Sequence, residues 1–247
     1  ATTEIYTLSL HDALPIYDRF FIDLRTEREH DAAHEAKLAA LEAAGHPVVR
    51  IVMKSIDHIG QEFFRFEIAT AVAGSILGIN PFNQPDVEAA KIKTRELTAA
   101  FEKTGALPAE QPVVSADGVE LYTDAQNAEE LRKAGANGDL NSWIKAHLSR
   151  SGRGDYVALL AYIERDGDTI DAMQAMRLKL RDAKHLATCA EFGPRFLHST
   201  GQAYKGGPDS GVFLQVTTDD SQDLAVPGQK ASFGVIKAAQ ADRKSVV

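Results

Sequence analysis

The chain has 247 residues, a formal net charge of −8, and 44% hydrophobic against 25% charged residues. That length supplies one large or two small domains with enough chain to bury a core, and the composition excludes a disordered polymer. The acidic balance argues against bulk binding to nucleic acid or an anionic membrane. The single cysteine, Cys189, excludes an intrachain disulfide framework and a multi-cysteine zinc site, and the apolar runs are far short of a membrane span. A cytoplasmic location is the expectation.

Residues 1–16 (ATTEIYTLSLHDALPI) lack the positively charged start of a secretory signal. They read, codon for codon, as a translated sequencing-library adapter. Residues 242–247 (DRKSVV) read as the reverse complement of the same DNA up to its stop codon. Both segments are expected to be artefact, leaving 17–241 as a piece of a longer gene.

Phe20–Leu24 (FFIDL) is suited to a strand. Residues 28–44 are rich in Ala, Glu and Leu and predict a helix closed by Gly45. Pro47–Met53 (PVVRIVM) is β-branched and predicts a buried strand. In Gly60–Leu77 the residues Phe63, Phe64, Ile68, Val72 and Ile76 recur near helical spacing. Strand, helix, strand, helix within about sixty residues points to a doubly wound α/β sheet with its first two strands parallel. A turn-rich stretch, GINPFNQP, leads into a helix from about Asp86 to Lys103, with Pro85 in its first turn. Residues 105–150 read as a linker carrying a hairpin turned at Asp117-Gly118, then short helices at 125–133 and 140–148. A second α/β unit over 151–241 follows. Its expected strands are Tyr156–Ile163, Leu186–Ala190 and Val212–Val216, and its helices Asp168–Ala183 and Phe233–Ala239.

Two stretches carry chemistry. In NPFNQPDVEAAK a turn delivers Asn83 and Gln84 to a helix start, where free N–H groups favour an anion; Glu88 and Lys91 share a face of that helix. The alternative is a capped helix with a solvated ion pair. GPRFLHSTGQAYKGG gathers Arg195, His198, Ser199, Thr200, Gln202 and Lys205 around glycines, as a phosphorylated or polyhydroxy ligand requires. His198 alone there has an ordinary pKa near neutrality, which makes it the proton-transfer candidate. Glu191, seven residues before it, is a possible acid/base partner or an ordinary carboxylate. His30 and His34 have metal-compatible spacing without a third ligand, so a solvated helix face is expected. His58, His147 and His185 read as surface or helix-end residues, and Cys189 as a buried strand residue.

GINPFNQPDVEAAK resembles the stretch of bacterial phosphoglucose isomerases that carries their ring-opening lysine. GPRFLHSTGQAYKGGPDSGVFLQV resembles the carboxy-terminal end of the bifunctional transaldolase/phosphoglucose isomerases, and the likeness runs through GHPVVRI, EFFRFEIATAVAG and FGVIKAAQA. The resemblance implies an aldose–ketose isomerase for glucose 6-phosphate and fructose 6-phosphate that needs no metal or other cofactor. It implies a partial sugar-isomerase α/β domain over 17–104, and amino-terminal isomerase and transaldolase domains elsewhere in the parent. Lys91 matches the family's lysine, and His198 lies in an element like its LHS-x-GQ. Gln84, Arg195, Ser199, Thr200, Gln202 and Lys205 are the implied substrate contacts. Three departures stand out: Asn83 replaces an aspartate, the LHSTGQ element follows the lysine, and the Glu-Ser-x-Gly-Lys element bearing the proton-shuttling glutamate is absent. Glu88 and Glu191 are its possible stand-ins, and the isolated chain is expected to be nearly inactive. A non-catalytic phosphosugar-binding module is the alternative.

Overall fold

The computed structural model describes residues 20–28, 31–83 and 85–241. The two expected adapter segments, His30 and Gln84 lie outside them. The fold is α/β, in two compact units that divide after Asn83.

The first unit runs β1 (Phe21–Thr26), α1 (Ala32–Ala43), β2 (Val48–Met53) and α2 (Ile59–Leu77). β1 and β2 pair in parallel, Phe21 opposite Val48 through Thr26 opposite Met53, so the expected helical crossover is present. Asp31 starts α1 by accepting the N–H groups of Ala33 and His34 at 2.9 and 3.2 Å. The chain then reverses at Gly45, whose φ of +89° suits a residue without Cβ. Polar contacts tie α1 to the sheet. His34 Nε2 lies 2.9 Å from Oδ1 of the buried Asp23, Arg25 pairs with Glu35, and Arg50 pairs with Glu42 at 2.6 Å. The solvated face expected for His34 is therefore corrected: a carboxylate buried in β1 needs a partner, and α1 supplies it. α2 ends at Gly78 (φ +71°). The NPF turn then folds back so tightly that a Cβ on Gly74 would come within 2.5 Å of the Pro81 ring. Asn80 Oδ1 accepts the Phe82 N–H at 3.0 Å and closes that turn. Phe63, Phe64, Ile68, Val72 and Ile76 form the helix their spacing predicts but remain exposed.

The second unit holds a parallel sheet of β5 (Tyr156–Tyr162), β6 (Ala187–Phe192) and β7 (Gly211–Thr217), in the order β6-β5-β7. β5 is central and buried on both faces, which is why YVALLAY reads as an unbroken apolar run. Leu159 and Ala161 point to one face, where α6 (Gly167–Lys184) contributes Met173 and Leu180. Ala158, Leu160 and Tyr162 point to the other, under Phe196, Leu197, Tyr204 and Ala241. Those residues come from a short 3-10 turn (Arg195–His198), α7 (Gly201–Gly206) and α8 (Phe233–Ala241). Helical cover on both faces makes this sheet doubly wound. α3 (Pro85–Thr104) packs on α7 and α8.

Between α3 and β5 lie the hairpin β3 (Val114–Ala116) and β4 (Val119–Leu121), α4 (Ala125–Lys133) and α5 (Leu140–Ser149). Asp117 and Gly118 both have positive φ, at 52° and 76°, as a two-residue hairpin loop requires. Ala128, Leu131, Trp143 and Ala146 form a separate small core under this hairpin. Asp124, Asp139 and Asp166 cap α4, α5 and α6 through the N–H groups of Asn127, Ser142 and Thr169, at 2.9, 2.9 and 2.7 Å. Among the described residues no helix is long and apolar enough to cross a membrane.

His147, in the last turn of α5, joins the small core to the sheet: its Nε2 lies 2.8 Å from the Phe213 carbonyl oxygen of β7. Burial holds its pKa below the ordinary histidine value, and the nearby Arg150 charge acts in the same direction. The unfolded chain therefore takes up a proton at higher pH than the folded one. This contribution to stability is present above about pH 6.5 and fades as pH falls through the lowered native value. His147→Gln should unfold with a shallower decline in melting temperature between pH 7.5 and 5 than the wild type; identical slopes would refute the role.

Candidate functional site

The site is built where β6 leaves the sheet. The Gly193 N–H donates to the Ala161 carbonyl at 2.8 Å, which carries the β5–β6 ladder one residue past the strand. Gly193 then crosses the face of Tyr162, where a Cβ would lie 2.5 Å from the ring carbon Cζ. Beyond Pro194 the 3-10 turn divides by solubility, with its two apolar residues in the middle and its polar ones at the ends. Phe196 and Leu197 are buried, and Phe196 meets Tyr162 edge to face at 5.7 Å, so Arg195 and His198 project outward.

Arg195 and His198 stand on a cavity of about 420 Å³ at the carboxyl ends of β5 and β6, the position where open α/β sheets hold ligands. Ile163, Phe192, Gly193 and Pro194 supply its remaining apolar wall. Arg165, just past the end of β5, completes it with its guanidinium 5.7 Å from the Phe192 ring centroid. The polar lining is two guanidinium groups and an imidazole, with no carboxylate among the described residues. Such a cavity favours an anion.

Glu191 turns to the other face of the sheet. Its Oε2 accepts from Thr200 Oγ1 at 2.6 Å and its Oε1 from the Tyr204 hydroxyl at 2.9 Å. Tyr204 is buried among Tyr156, Phe196 and Phe213, and that burial pushes its phenol pKa far above the ordinary value. Cys189, also on β6, has its thiol pushed up by burial, which keeps it protonated and a poor nucleophile at neutral pH. Ser199 Oγ donates to the Phe196 carbonyl at 3.3 Å. Lys205 lies half-buried on α7, and the Gln202 side chain is outside the described residues.

Lys91 and Glu88 share a face of α3, as their spacing requires, 3.9 Å apart. Both are half exposed. Arg95 reaches Glu88 more closely, at 2.8 Å, and its hydrogen bond holds the Glu88 carboxyl below its ordinary pKa. Of the residues singled out in the sequence, the structure thus brings Arg195 and His198 together in the cavity. Glu191 joins Thr200 away from it, and Glu88 and Lys91 form a surface pair on α3. Arg165, Phe192 and Tyr204 escaped notice in the sequence. The position of Arg165 directly after a strongly apolar strand was the available signal for it.

A parallel α/β sheet with a cationic cavity at its carboxyl edge has the lining that a small anion would require. Comparison with known proteins adds a chemistry. The chain is 42% identical over 69 residues to a probable glucose-6-phosphate isomerase of Halobacterium salinarum, a match covering 27% of this chain and 16% of that protein. It is 41% identical over 63 residues to the glucose-6-phosphate isomerase of Parabacteroides distasonis, covering 25% and 13%. It is 43% identical over 77 residues to that of Limosilactobacillus fermentum, covering 30% and 17%. The chain therefore spans less than a fifth of the length of these curated relatives. No family model matches it, and no solved structure does.

The Glu191 contacts make a stability prediction. Glu191→Ala leaves the Thr200 and Tyr204 hydroxyls without their acceptor and should lower stability by about 1–3 kcal/mol in urea unfolding. Gly193→Ala, which drives a methyl group into the Tyr162 ring, should cost a similar ~1–3 kcal/mol. A wild-type midpoint in either variant would show that the corner tolerates the change.

Proposed function

We propose that the chain is part of an aldose–ketose isomerase that interconverts glucose 6-phosphate and fructose 6-phosphate. The observation that carries this reading is the cavity lined by Arg165, Arg195 and His198, in a chain similar over partial stretches to glucose-6-phosphate isomerases. The reaction opens the sugar ring and moves a proton between C1 and C2 through an enediol, whose developing oxyanion needs positive charge nearby. In this reading His198 handles a proton at a ring or carbonyl oxygen, and Lys91 holds the ring-opening role that its motif implies. Transaldolase and further isomerase domains of a larger parent, and a cytoplasmic location, remain part of the same proposal.

One observation favours a second reading, a phosphosugar-binding module without catalysis. Both oxygens of Glu191 are engaged by hydroxyl groups and Glu88 is engaged by Arg95, so neither carboxylate stands in the cavity. Proton transfer between adjacent carbons needs a carboxylate within hydrogen-bond reach of the substrate.

A coupled assay from fructose 6-phosphate to glucose 6-phosphate separates the readings. The purified 247-residue chain should bind fructose 6-phosphate but turn it over near background. In a larger protein containing this sequence, Lys91→Ala and His198→Ala should each lower turnover by about 100-fold or more with the fold intact. Unchanged turnover in both would sink the isomerase reading. Robust turnover by the chain alone, abolished by Glu191→Gln or Glu88→Gln, would show that a local glutamate suffices.

A further inference from the structure

We propose that Arg165 and Arg195 form a clamp for the phosphate group of a phosphorylated ligand. The identity of that ligand as a sugar phosphate rests on the isomerase reading; the clamp rests on the cavity itself. Three observations converge. First, neither guanidinium has a carboxylate partner among the described residues, whereas Arg25, Arg50, Arg95 and Arg150 each pair with one. Both guanidinium groups line the same cavity, so an anion seated there would meet the two together. Second, the Arg165 guanidinium carbon lies over the Phe192 ring, 5.7 Å from its centroid, a cation–π contact that occupies none of the arginine's N–H groups. Its N–H edge remains available for the two parallel hydrogen bonds that a phosphate accepts. Third, Ile163, Phe192 and Pro194 line the same cavity and give it an apolar wall beside these exposed donors.

The clamp also divides the polar cluster of the 193–207 loop by task. Thr200 is committed to Glu191, and Ser199 to the Phe196 carbonyl. The hydroxyls that resemble phosphate ligands in the sequence thus fasten the loop, and the arginines hold the anion. His198 lines the same cavity and is left to meet the uncharged end of the ligand.

Calorimetric titration of the full 247-residue chain tests this, with fructose 6-phosphate, inorganic phosphate and fructose as probes. Fructose 6-phosphate and phosphate should bind, more weakly as salt rises, and fructose should give no measurable heat. Arg165→Gln and Arg195→Gln should each weaken both anions about tenfold or more without moving the unfolding midpoint. Arg165→Lys, which keeps charge but loses the fork, should fall between Arg165→Gln and the wild type. Arg153→Gln, at an exposed arginine outside the cavity, controls for net charge. Fructose 6-phosphate binding that is indifferent to Arg165 and Arg195, or equally weakened by Arg153→Gln, would overturn the clamp and leave the isomerase reading standing. Phosphate binding that depends on Arg165, with fructose 6-phosphate failing to compete, would support the clamp and overturn the sugar-phosphate reading. Failure of every anion to bind would overturn the clamp.

Discussion

The approach of Gly193 to the Tyr162 ring is the constraint on which the site depends. Tyr162 ends the most buried strand among the described residues, with its hydroxyl reaching the Gln240 carbonyl at 3.2 Å. Its ring is therefore fixed from below by the sheet and at its tip by α8. A chain leaving β6 can cross that ring only where it carries no side chain. The crossing sets where Pro194 begins the 3-10 turn, and the turn sets Phe196 and Leu197 inward. Arg195 and His198, three residues apart and so on one face of the 3-10 turn, follow to the cavity. A core contact thus fixes two exposed polar groups, as a binding site needs if its donors are to be held in place before the ligand arrives.

The two faces of the sheet carry different work past the end of β6. On the face shared with α7, Glu191 gathers two hydroxyls and locks the segment 200–204 against the strand. On the face shared with α6, Phe192 lends its ring to Arg165. Adjacent residues of one strand point to opposite faces. A single Glu-Phe dipeptide therefore fastens the loop on one side and orients a cation on the other. Negative charge is kept out of the cavity by strand geometry, since the only carboxylate on this end of β6 faces away.

Most of the fold was legible in the sequence because its signals are local. The apolar run at 156–162, the Asp-Gly hairpin and the Gly45 stop each act within a few residues, and the structure places a strand, a turn and a helix end there. What was not legible depends on contacts between distant segments. The burial of Asp23 gives His34 a partner eleven residues away. Thr200 looks like a ligand group until β6 brings Glu191 beneath it, and nothing in the sequence marks Tyr204 as its second partner. Arg165 belongs to the site only because β5 and β6 are neighbours with aligned ends, a fact that pairing supplies and spacing does not. The 3-10 turn and α7 fall in a glycine-rich stretch with weak helix propensity, where packing of Phe196, Leu197 and Tyr204 overrides the local preference.

Whether the site does chemistry or only binds turns on where a base can stand. For Glu191 to take a proton from a substrate carbon it must give up the Thr200 or Tyr204 hydroxyl, and both donors are set by the packing that forms the loop. Freeing the carboxylate would loosen the segment that presents His198, so the same residue cannot easily serve both purposes. Glu88 has the opposite handicap. It is accessible, but the Arg95 hydrogen bond favours its ionised form and weakens it as a base. What the described residues offer is positive charge, an imidazole and a rigid corner, the complement of an anionic ligand with a developing oxyanion. An isomerase built on this corner therefore draws its carbon base from a carboxylate other than these two, and the distance from that carboxylate to the His198 imidazole becomes the quantity that decides between catalysis and binding.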